Sequence, residues 1–423
     1  MLETGIKKYY IWVGLIAAFA LRIGFNWHVD IMAFGDSGDF HVAAIQILQT
    51  HTYPLKGDLL FFRPPLYPFF LAILYKISFQ NFLLVKIAQA MLNVFTCFFI
   101  MRIAQKIFDK RTGYIAFMLA AINPFFIYWT GILETETLFM FLFITSMFLL
   151  ILFDRTDLKR YLALSAFLLG LSALTRPIAV LFVPFLITYL FVRLRKGYRG
   201  CIKDAAIFTL CFMCMIMPWT IRNYKVYKEF ILINNSGGGN FFAGNNPVLV
   251  KILSSKTKEE YNQHTKEFLK LADSLVYDMR NFSNRDMQNK YYKISFDFIR
   301  KNPKVWIWLR WKNFLEFWRP YVNPLVYPKN TVILTFIYLF PIIFLGLFEI
   351  IRQFLIKGVR FPDIFLVFIV LAIGTSQFLL TETMIRYRIP IIDPFLIIFS
   401  SHVFSFLICA RLDFFLKTPK EIL

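Results

Sequence analysis

About ten stretches of some twenty nearly unbroken apolar residues run through this chain, each long enough to cross a hydrocarbon layer of about 30 Å as a helix. They fall near 9–27, 82–104, 113–130, 137–153, 161–176, 177–194, 204–221, 329–350, 363–380 and 389–410. A porin-type barrel would instead show ten-residue segments of alternating polarity. Composition agrees: 58% of the 423 residues are hydrophobic and 17% charged, against roughly 45–50% and about 25% in soluble domains. A cytosolic enzyme, a secreted disulfide scaffold and a disordered regulator are excluded. The expected fold is an all-α polytopic membrane protein with about ten transmembrane helices.

The formal charge of +21 would suggest nucleic acid in a soluble protein. Here the basic residues cluster between apolar runs, so no nucleic-acid partner is expected. Lys7 and Lys8 precede the first span; Lys106, Lys110 and Arg111, then Lys159 and Arg160, then Arg193, Arg195, Lys196 and Arg199, then Arg352, Lys357 and Arg360 fill alternate loops. The positive-inside rule places these in the cytoplasm. An even number of spans puts the C-terminal Arg411, Lys417 and Lys420 there too, in a multi-pass protein of the cytoplasmic membrane. No small-residue cleavage site follows the first span and Arg22 interrupts its end, so it is expected to be retained. The five cysteines do not suggest a disulfide set, and Cys211 and Cys214, although spaced CxxC, lack a second ligand pair for zinc.

Residues 1–222 form the expected catalytic membrane module, 223–328 an extracytoplasmic segment, and 329–423 the C-terminal spans and tail. Two long outer loops, about 28–81 and 222–328, are the expected places for chemistry and for juxtamembrane helices. Within PKVWIWLRWKNFLEFWRP, Trp308, Trp311, Leu315 and Trp318 share a helical face, with Lys304, Arg310 and Lys312 around them, as in a helix lying in the membrane interface.

Polar residues of both signs collect on the outer side. In FGDSGDFHVAAIQIL, Asp36 and Asp39 open a helical pattern; they serve either as cap and first-turn carboxylates or as a base or cation site. Arg63 before Pro-Pro is either a snorkelling interfacial side chain or a fork for phosphate. Glu134 and Glu136 stand where two spans meet. Residues two apart on a helix do not share a face, so at most one is expected to point into a site. Arg176 lies at the outer end of a span against the positive-inside preference, and an ionisable residue at such depth is a functional candidate. Arg222, Arg386 and Arg388 have the same outward basic character. Arginines could neutralise a leaving phosphate while a carboxylate takes an acceptor's proton. Taken alone, the set describes a site for an anionic amphiphile, which an enzyme or a transporter could use.

In order and spacing, GDSGDF, RPPLYP, NPFFIYWTGILETETLF, GLSALTRP, PWTIRNY, GGGNFFAGNNP and RYRIP resemble the GT-C superfamily glycosyltransferases. They are most similar to the bacterial branch related to protein O-mannosyltransferases and the lipid A aminoarabinose transferase. The resemblance covers nearly the whole chain, most strongly about 28–250. It implies a GT-C-like core and a hexosyl- or pentosyltransferase that takes a sugar from a polyprenyl-phosphate-sugar donor. The sugar would go to a glycan, lipid or protein acceptor on the outer face. It places the catalytic carboxylate on Asp36, with Asp39 second, and a further acidic position on Glu136; Glu134 has no counterpart. Arg63 and Arg176 would hold the lipid phosphate, joined by Arg222, Arg386 and Arg388. Asn245, Asn246 and Tyr67 would be acceptor-side or structural. The chain departs from many relatives in having Asp36-Ser37 where they have Asp-Glu, and Phe40 where they have Tyr. A divalent cation (Mg, Mn or Zn) would draw on Asp36, Glu136 and His41.

The competing class is a lipid-linked sugar flippase or a transporter. Transporters favour internal repeats and polar residues at mid-membrane depth, whereas these polar residues gather at one face and the halves look unlike. An acyl or phosphoethanolamine transferase would want a His or Thr nucleophile set, which the five histidines do not form.

Overall fold

A computed structural model describes residues 2–32, 35–54, 63–192, 197–382 and 384–416. Arg193, Arg195 and Lys196 of the basic loops, Lys417 and Lys420 of the tail, and 33–34 and 55–62 of the first long loop lie outside the described residues.

Helices are the regular secondary structure of the described residues, which contain no strand. In chain order come α1 (Leu2–Asn26), α2 (Gly35–Thr50), α3 (Leu66–Ser78), α4 (Phe82–Ile107), α5 (Lys110–Ala121), α6 (Pro124–Trp129), α7 (Glu136–Thr156) and α8 (Lys159–Thr175). A 3-10 turn (Pro177–Leu181) leads into α9 (Phe182–Val192) and α10 (Gly197–Tyr227). The 223–328 segment carries α11 (Gly237–Gly244), α12 (Pro247–Ser254), α13 (Lys258–Asp278), α14 (Asn284–Lys301) and α15 (Pro303–Trp318). The chain closes with α16 (Lys329–Ile356), α17 (Phe361–Leu380), α18 (Ile385–Arg388) and α19 (Asp393–Leu416).

All ten apolar runs are helical. Among the described residues five helices are long and apolar enough to cross a membrane by themselves: α4, α7, α10, α16 and α17. The run at 113–130 is broken in two. Asn123 ends α5 and caps α6, its Oδ1 accepting from the amides of Phe125 and Phe126, and Pro124 occupies the first turn of α6, where a missing N–H costs nothing. The long first loop is itself structured by α2 and α3, which pack on each other. This is a multi-pass membrane protein.

The bundle is organised around α7, which is buried along most of its length between α4 and α8. α8 approaches α10 at Gly170, where a Cβ would come within 2.8 Å of the Met215 Cβ and 3.0 Å of the Phe212 carbonyl. α19 lies between α16 and α5. Arg22, fully buried in α1, ties three helices together. Its Nε donates to Asn93 Oδ1 at 2.8 Å, and Nη1 donates to the carbonyls of Ala18 and Ala121 at 2.8 and 3.1 Å. Carbonyl and amide acceptors are how a guanidinium survives in a bundle interior.

Twenty-one residues of α7 span about 30 Å at 1.5 Å per residue, the thickness of a bilayer core. Three basic loops converge at its C-terminal end. Arg155 reaches Asp154 at 2.8 Å, Asp363 at 2.5 Å and the Lys106 carbonyl at 3.2 Å, and Arg360 meets Asp154 at 2.7 Å. The charged residues singled out as a site gather at the other end.

α15 presents Ile307, Trp311 and Leu315 as an exposed apolar stripe, in keeping with an interfacial helix. Arg310 differs from expectation. It is buried, and donates to the carbonyls of Gly244 and Phe378, joining the 237–318 layer to α17.

Candidate active site

The two aspartates of GDSGDF occupy the first turn of α2, three residues apart and hence on one face. Both meet Arg63, which enters just before α3. Arg63 Nη2 is 2.7 Å from Asp36 Oδ1 and 2.8 Å from Asp39 Oδ2, and its Nε donates to the same Asp39 oxygen at 3.0 Å. The second oxygen of Asp36 lies 3.3 Å from Arg386 Nη2. Arg386 stands on α18 and is the hub of the cluster: its Nη2 is 3.0 Å from Glu134 Oε2 and its Nε 2.8 Å from Glu136 Oε1. Arg176, between α8 and the 3-10 turn, places Nη1 3.3 Å from Glu136 Oε1. Its guanidinium lies over the rings of Phe139 and Tyr387, at 5.8 and 5.5 Å.

Glu134 and Glu136 both face Arg386 and both are fully buried, so the expectation that only one of them points into a site is corrected. The spacing rule assumed a shared helix, yet α7 begins at Glu136 and Glu134 belongs to the turn before it. That turn is held by Gln89, whose Nε2 donates to the carbonyls of Thr130 and Ile132, while Tyr67 donates to Gln89 Oε1 at 2.8 Å. Tyr67 therefore positions the acidic turn from behind.

Three guanidiniums face four carboxylates. Burial pushes the Glu134 carboxyl up to about 8 despite the opposing charge of Arg386, with Glu136 and Asp36 adding to the rise. Held protonated at neutral pH, Glu134 leaves the cluster balanced. Against the cost of burial, Asp36 and Asp39 push Arg63 up too, which for a guanidinium means that it stays charged.

Hydrogen-bonding capacity is left over here. Glu134 Oε1, Glu136 Oε2, Arg176 Nη1 and Ser37 Oγ are buried without a hydrogen-bond partner. Such orphans are costly, and those of Glu134, Glu136 and Arg176 fall within the cluster that already carries the charges. The arrangement can receive an anion: an incoming oxyanion would satisfy guanidinium donors and release carboxylates from them.

The remaining candidates lie apart from this hub. Arg222 of α10 donates to the Tyr53 carbonyl at 3.2 Å and stacks over Trp219 at 4.8 Å, and Tyr53 in turn donates its hydroxyl to the Arg63 carbonyl at 2.8 Å. It thus adjoins the cluster through Tyr53. Arg388 is not brought to the cluster at all. It is fully buried, paired with Asp393 at 2.8 Å and donating to the carbonyls of Phe317 and Arg319. It lies two positions from Arg386, so on a helical turn the side chains diverge. Asn246 caps α12 by accepting from the Leu249 amide, and Asn245 accepts from Trp306 Nε1 at 2.9 Å while donating to the Phe241 and Leu380 carbonyls.

The proposed ligands Asp36, Glu136 and His41 do not fit a divalent cation in this arrangement. Among the described residues no group of three or more His, Cys, Asp or Glu side chains is placed to hold one. His41 turns to the Tyr75 hydroxyl at 3.0 Å, and the carboxylates are taken by arginines.

The sequence family described as dolichyl-phosphate-mannose-protein mannosyltransferase matches residues 62–221, less than half of the chain. No curated protein matches. Among solved structures, the chain is similar to the archaeal oligosaccharyltransferase AglB from Archaeoglobus fulgidus in complex with an inhibitory peptide and a dolichol-phosphate. The TM-score is 0.58 at 14% identity, over 97% of this chain and 52% of that one. The chain shares the fold of the part of that oligosaccharyltransferase with which it aligns. The same oligosaccharyltransferase in complex with Zn and sulfate aligns with a TM-score of 0.53 at 13% identity, over 94% of this chain and 51% of that one. ArnT from Cupriavidus metallidurans bound to undecaprenyl phosphate gives 0.45 at 13% identity, over 94% and 77%. The chain spans about half the length of the archaeal oligosaccharyltransferase chains.

Proposed function

We propose that this protein is a glycosyltransferase that moves a hexose or pentose from a polyprenyl-phosphate-linked donor to an acceptor hydroxyl on the extracytoplasmic face. The observation that carries the reading is the arginine-rich hub of Arg63, Arg176 and Arg386, with its unspent buried donors and acceptors. The fold adds support, since a GT-C neighbour was solved with a dolichol-phosphate and an inhibitory peptide.

In this reading the carboxylates hold the place of phosphate oxygens while the site is empty. A donor phosphate engages Arg386, Arg63 and Arg176, whose planar forks suit it better than a lysine would. Asp36 is thereby released as a base. The acceptor oxygen attacks the anomeric carbon from the side opposite the phosphate and gives its proton to Asp36. The bond from the anomeric carbon to the phosphate oxygen breaks, and polyprenyl phosphate leaves with the electron pair, its charge met by the guanidiniums. The anomeric configuration inverts. Arg222, linked to Arg63 through Tyr53, is assigned to the lipid side of the donor in this scheme. Arg388, locked on Asp393, takes no part in this scheme. The topology belongs to the same proposal: the basic loops at the far end of α7 and both termini are cytoplasmic, and the hub faces outward.

Transfer of labelled sugar from a panel of polyprenyl-phosphate sugars in proteoliposomes tests the reading. Asp36→Asn should lower transfer 10²–10⁴-fold without lowering lipid-phosphate binding. Wild-type transfer by normally folded Asp36→Asn would remove Asp36 from the mechanism. Passage of labelled lipid across the bilayer with no donor consumed would replace the transferase by a flippase.

A further inference from the structure

At the same end of the bundle as the hub, the end of α1 and the start of α4 enclose a cleft of about 420 Å³. Ile23 of α1, Trp27 just beyond that helix, and Phe82 and Leu83 in the first turn of α4 form its apolar walls, and Asp30 and Lys86 add one charge of each sign. Trp27 is 75% and Leu83 43% exposed, so the mouth is apolar and opens to the surroundings of the bundle. α4 is long and apolar enough to cross a membrane. The first turn of such a span stands where acyl chains give way to headgroups, a depth at which tryptophan is enriched.

The two charges are seated without pairing. Lys86 Nζ donates to the carbonyls of Asn26 and Val29, at 2.8 Å each, which fixes the ammonium at the end of α1 and leaves it a third N–H to give. Carbonyls bring no counter-charge. Asp30 accepts from the Met32 amide on Oδ1 at 3.0 Å and keeps Oδ2 to spare. Neither residue makes an ion pair among the described residues, although both line the one cleft.

The same segment backs the hub. Asn26 Nδ2 donates to Thr130 Oγ1 at 3.0 Å, and the Leu133 amide donates to the Ile31 carbonyl at 3.0 Å. A Cβ on Gly131 would come within 2.8 Å of Asn26 Oδ1, so the two stretches meet at close range. Residues 26–31 thus line the cleft and also support the turn that carries Glu134.

We propose that this cleft is a headgroup site for a zwitterionic phospholipid with a primary amine, phosphatidylethanolamine. The lipid phosphate takes the third N–H of Lys86, the lipid ammonium donates to Asp30 Oδ2, and the acyl chains leave past Trp27 and Leu83. Both polar contacts are charge-assisted. The pair of signs selects the headgroup: a choline has no N–H for Asp30, and phosphatidylglycerol brings a negative charge with no cation to meet the carboxylate. The apolar mouth selects a lipid, since a free headgroup would leave it uncovered. The site is separate from the arginine hub and does not depend on the transferase reading.

The test uses the full chain, purified in detergent and stripped of lipid, titrated with dioleoyl phosphatidylethanolamine, phosphatidylcholine or phosphatidylglycerol in mixed micelles. Native mass spectrometry counts the bound lipid, and Tm is read on the same samples. Wild type should retain one phosphatidylethanolamine about 10-fold more tightly than either of the others, the worth of one hydrogen bond to a charged group, and should gain Tm with it. Asp30→Asn keeps an oxygen for the Met32 amide and loses only the charge, so it should fold as wild type and bind the three lipids within about twofold of one another, the scatter of a surface change. Lys86→Met should weaken all three about 10-fold. Four results overturn the proposal. They are equal binding of the three lipids by wild type, a preference for phosphatidylglycerol, a preference for phosphatidylethanolamine that survives Asp30→Asn, and displacement of the bound lipid by equimolar soluble phosphoethanolamine or by undecaprenyl phosphate. The last would give the cleft to a soluble ligand or to the sugar donor.

Discussion

Arg386 donates its Nε to Glu136 at 2.8 Å across 250 residues of chain. The contact closes the last third of the sequence onto the first, because Glu136 opens α7 in the centre of the bundle while Arg386 arrives from the far side on α18. Asp36, Glu134 and Arg176 each meet one or other of these two, and Arg63 and Asp39 join the cluster through Asp36.

Arg386→Lys should separate recognition from folding. A lysine keeps the charge but reaches one oxygen where the guanidinium reaches three carboxylates. Undecaprenyl phosphate binding, followed by tryptophan fluorescence, is expected to weaken by about 10- to 100-fold, the loss of one or two charge-assisted hydrogen bonds. Arg386→Ala goes further and strands buried acids without a counter-charge, a change worth about 3–5 kcal/mol of stability, so its Tm should fall well below that of the lysine variant. Unaltered lipid binding by Arg386→Lys would show that the phosphate sits elsewhere.

Arg176→Lys should weaken the same ligand without a comparable loss of Tm. Arg176 meets Glu136 through one Nη1 contact of 3.3 Å that makes no hydrogen bond, so less is lost from the unliganded protein. Equal lipid affinity in both proteins would leave Arg176 as a side chain anchored between Phe139 and Tyr387.

Glu134 gives the hub a dependence on pH. In the folded chain its carboxyl holds its proton up to about 8, against 4.5 as the ordinary value. Between those limits the folded state binds more protons than the unfolded one, so stability falls as pH rises through the window and levels off above it. Glu134→Gln removes this component. Melting curves in detergent at pH 5 and pH 8 should lie closer together in the variant than in wild type; an unchanged gap would assign the dependence to another group.

Arg22→Met tests the buried staple of α1. Asn93 and the Ala121 carbonyl lose their donor, and a stranded buried acceptor costs about 1–3 kcal/mol. A lower Tm with intact lipid-phosphate binding is expected, and a Tm equal to wild type would mean that water replaces the guanidinium.

Much of this was legible from the residue order. The apolar runs located the helices because hydropathy is a local property, and the break at Asn123-Pro124 blurs in a twenty-residue window because both halves are apolar. Asp36, Asp39, Arg63, Arg176 and Glu136 stood out as charges at span ends, where a charge needs a reason. Glu134 stands out as much as Glu136, but a spacing rule for one shared helix admits only one of them, and the helix starts at Glu136. Arg388 looked equivalent to Arg386 for a related reason: a sequence shows two arginines, and only the turn of α18 shows that they diverge. The path of the 380–382 backbone carries no local signal at all, since it is fixed by Gly244 and Asn245 from more than a hundred residues upstream.

The divergence of those two arginines sets a limit on motion. α18 is a single turn, and one of its side chains is bolted into the interior through Asp393 and the carbonyls of Phe317 and Arg319. Its neighbour at the hub therefore cannot travel toward a ligand by a shift of backbone; only the length of its own side chain is free to swing. Whatever anion docks there has to come to a fixed post, and the orientation that a mobile loop would have to find anew on each encounter is set when the chain folds.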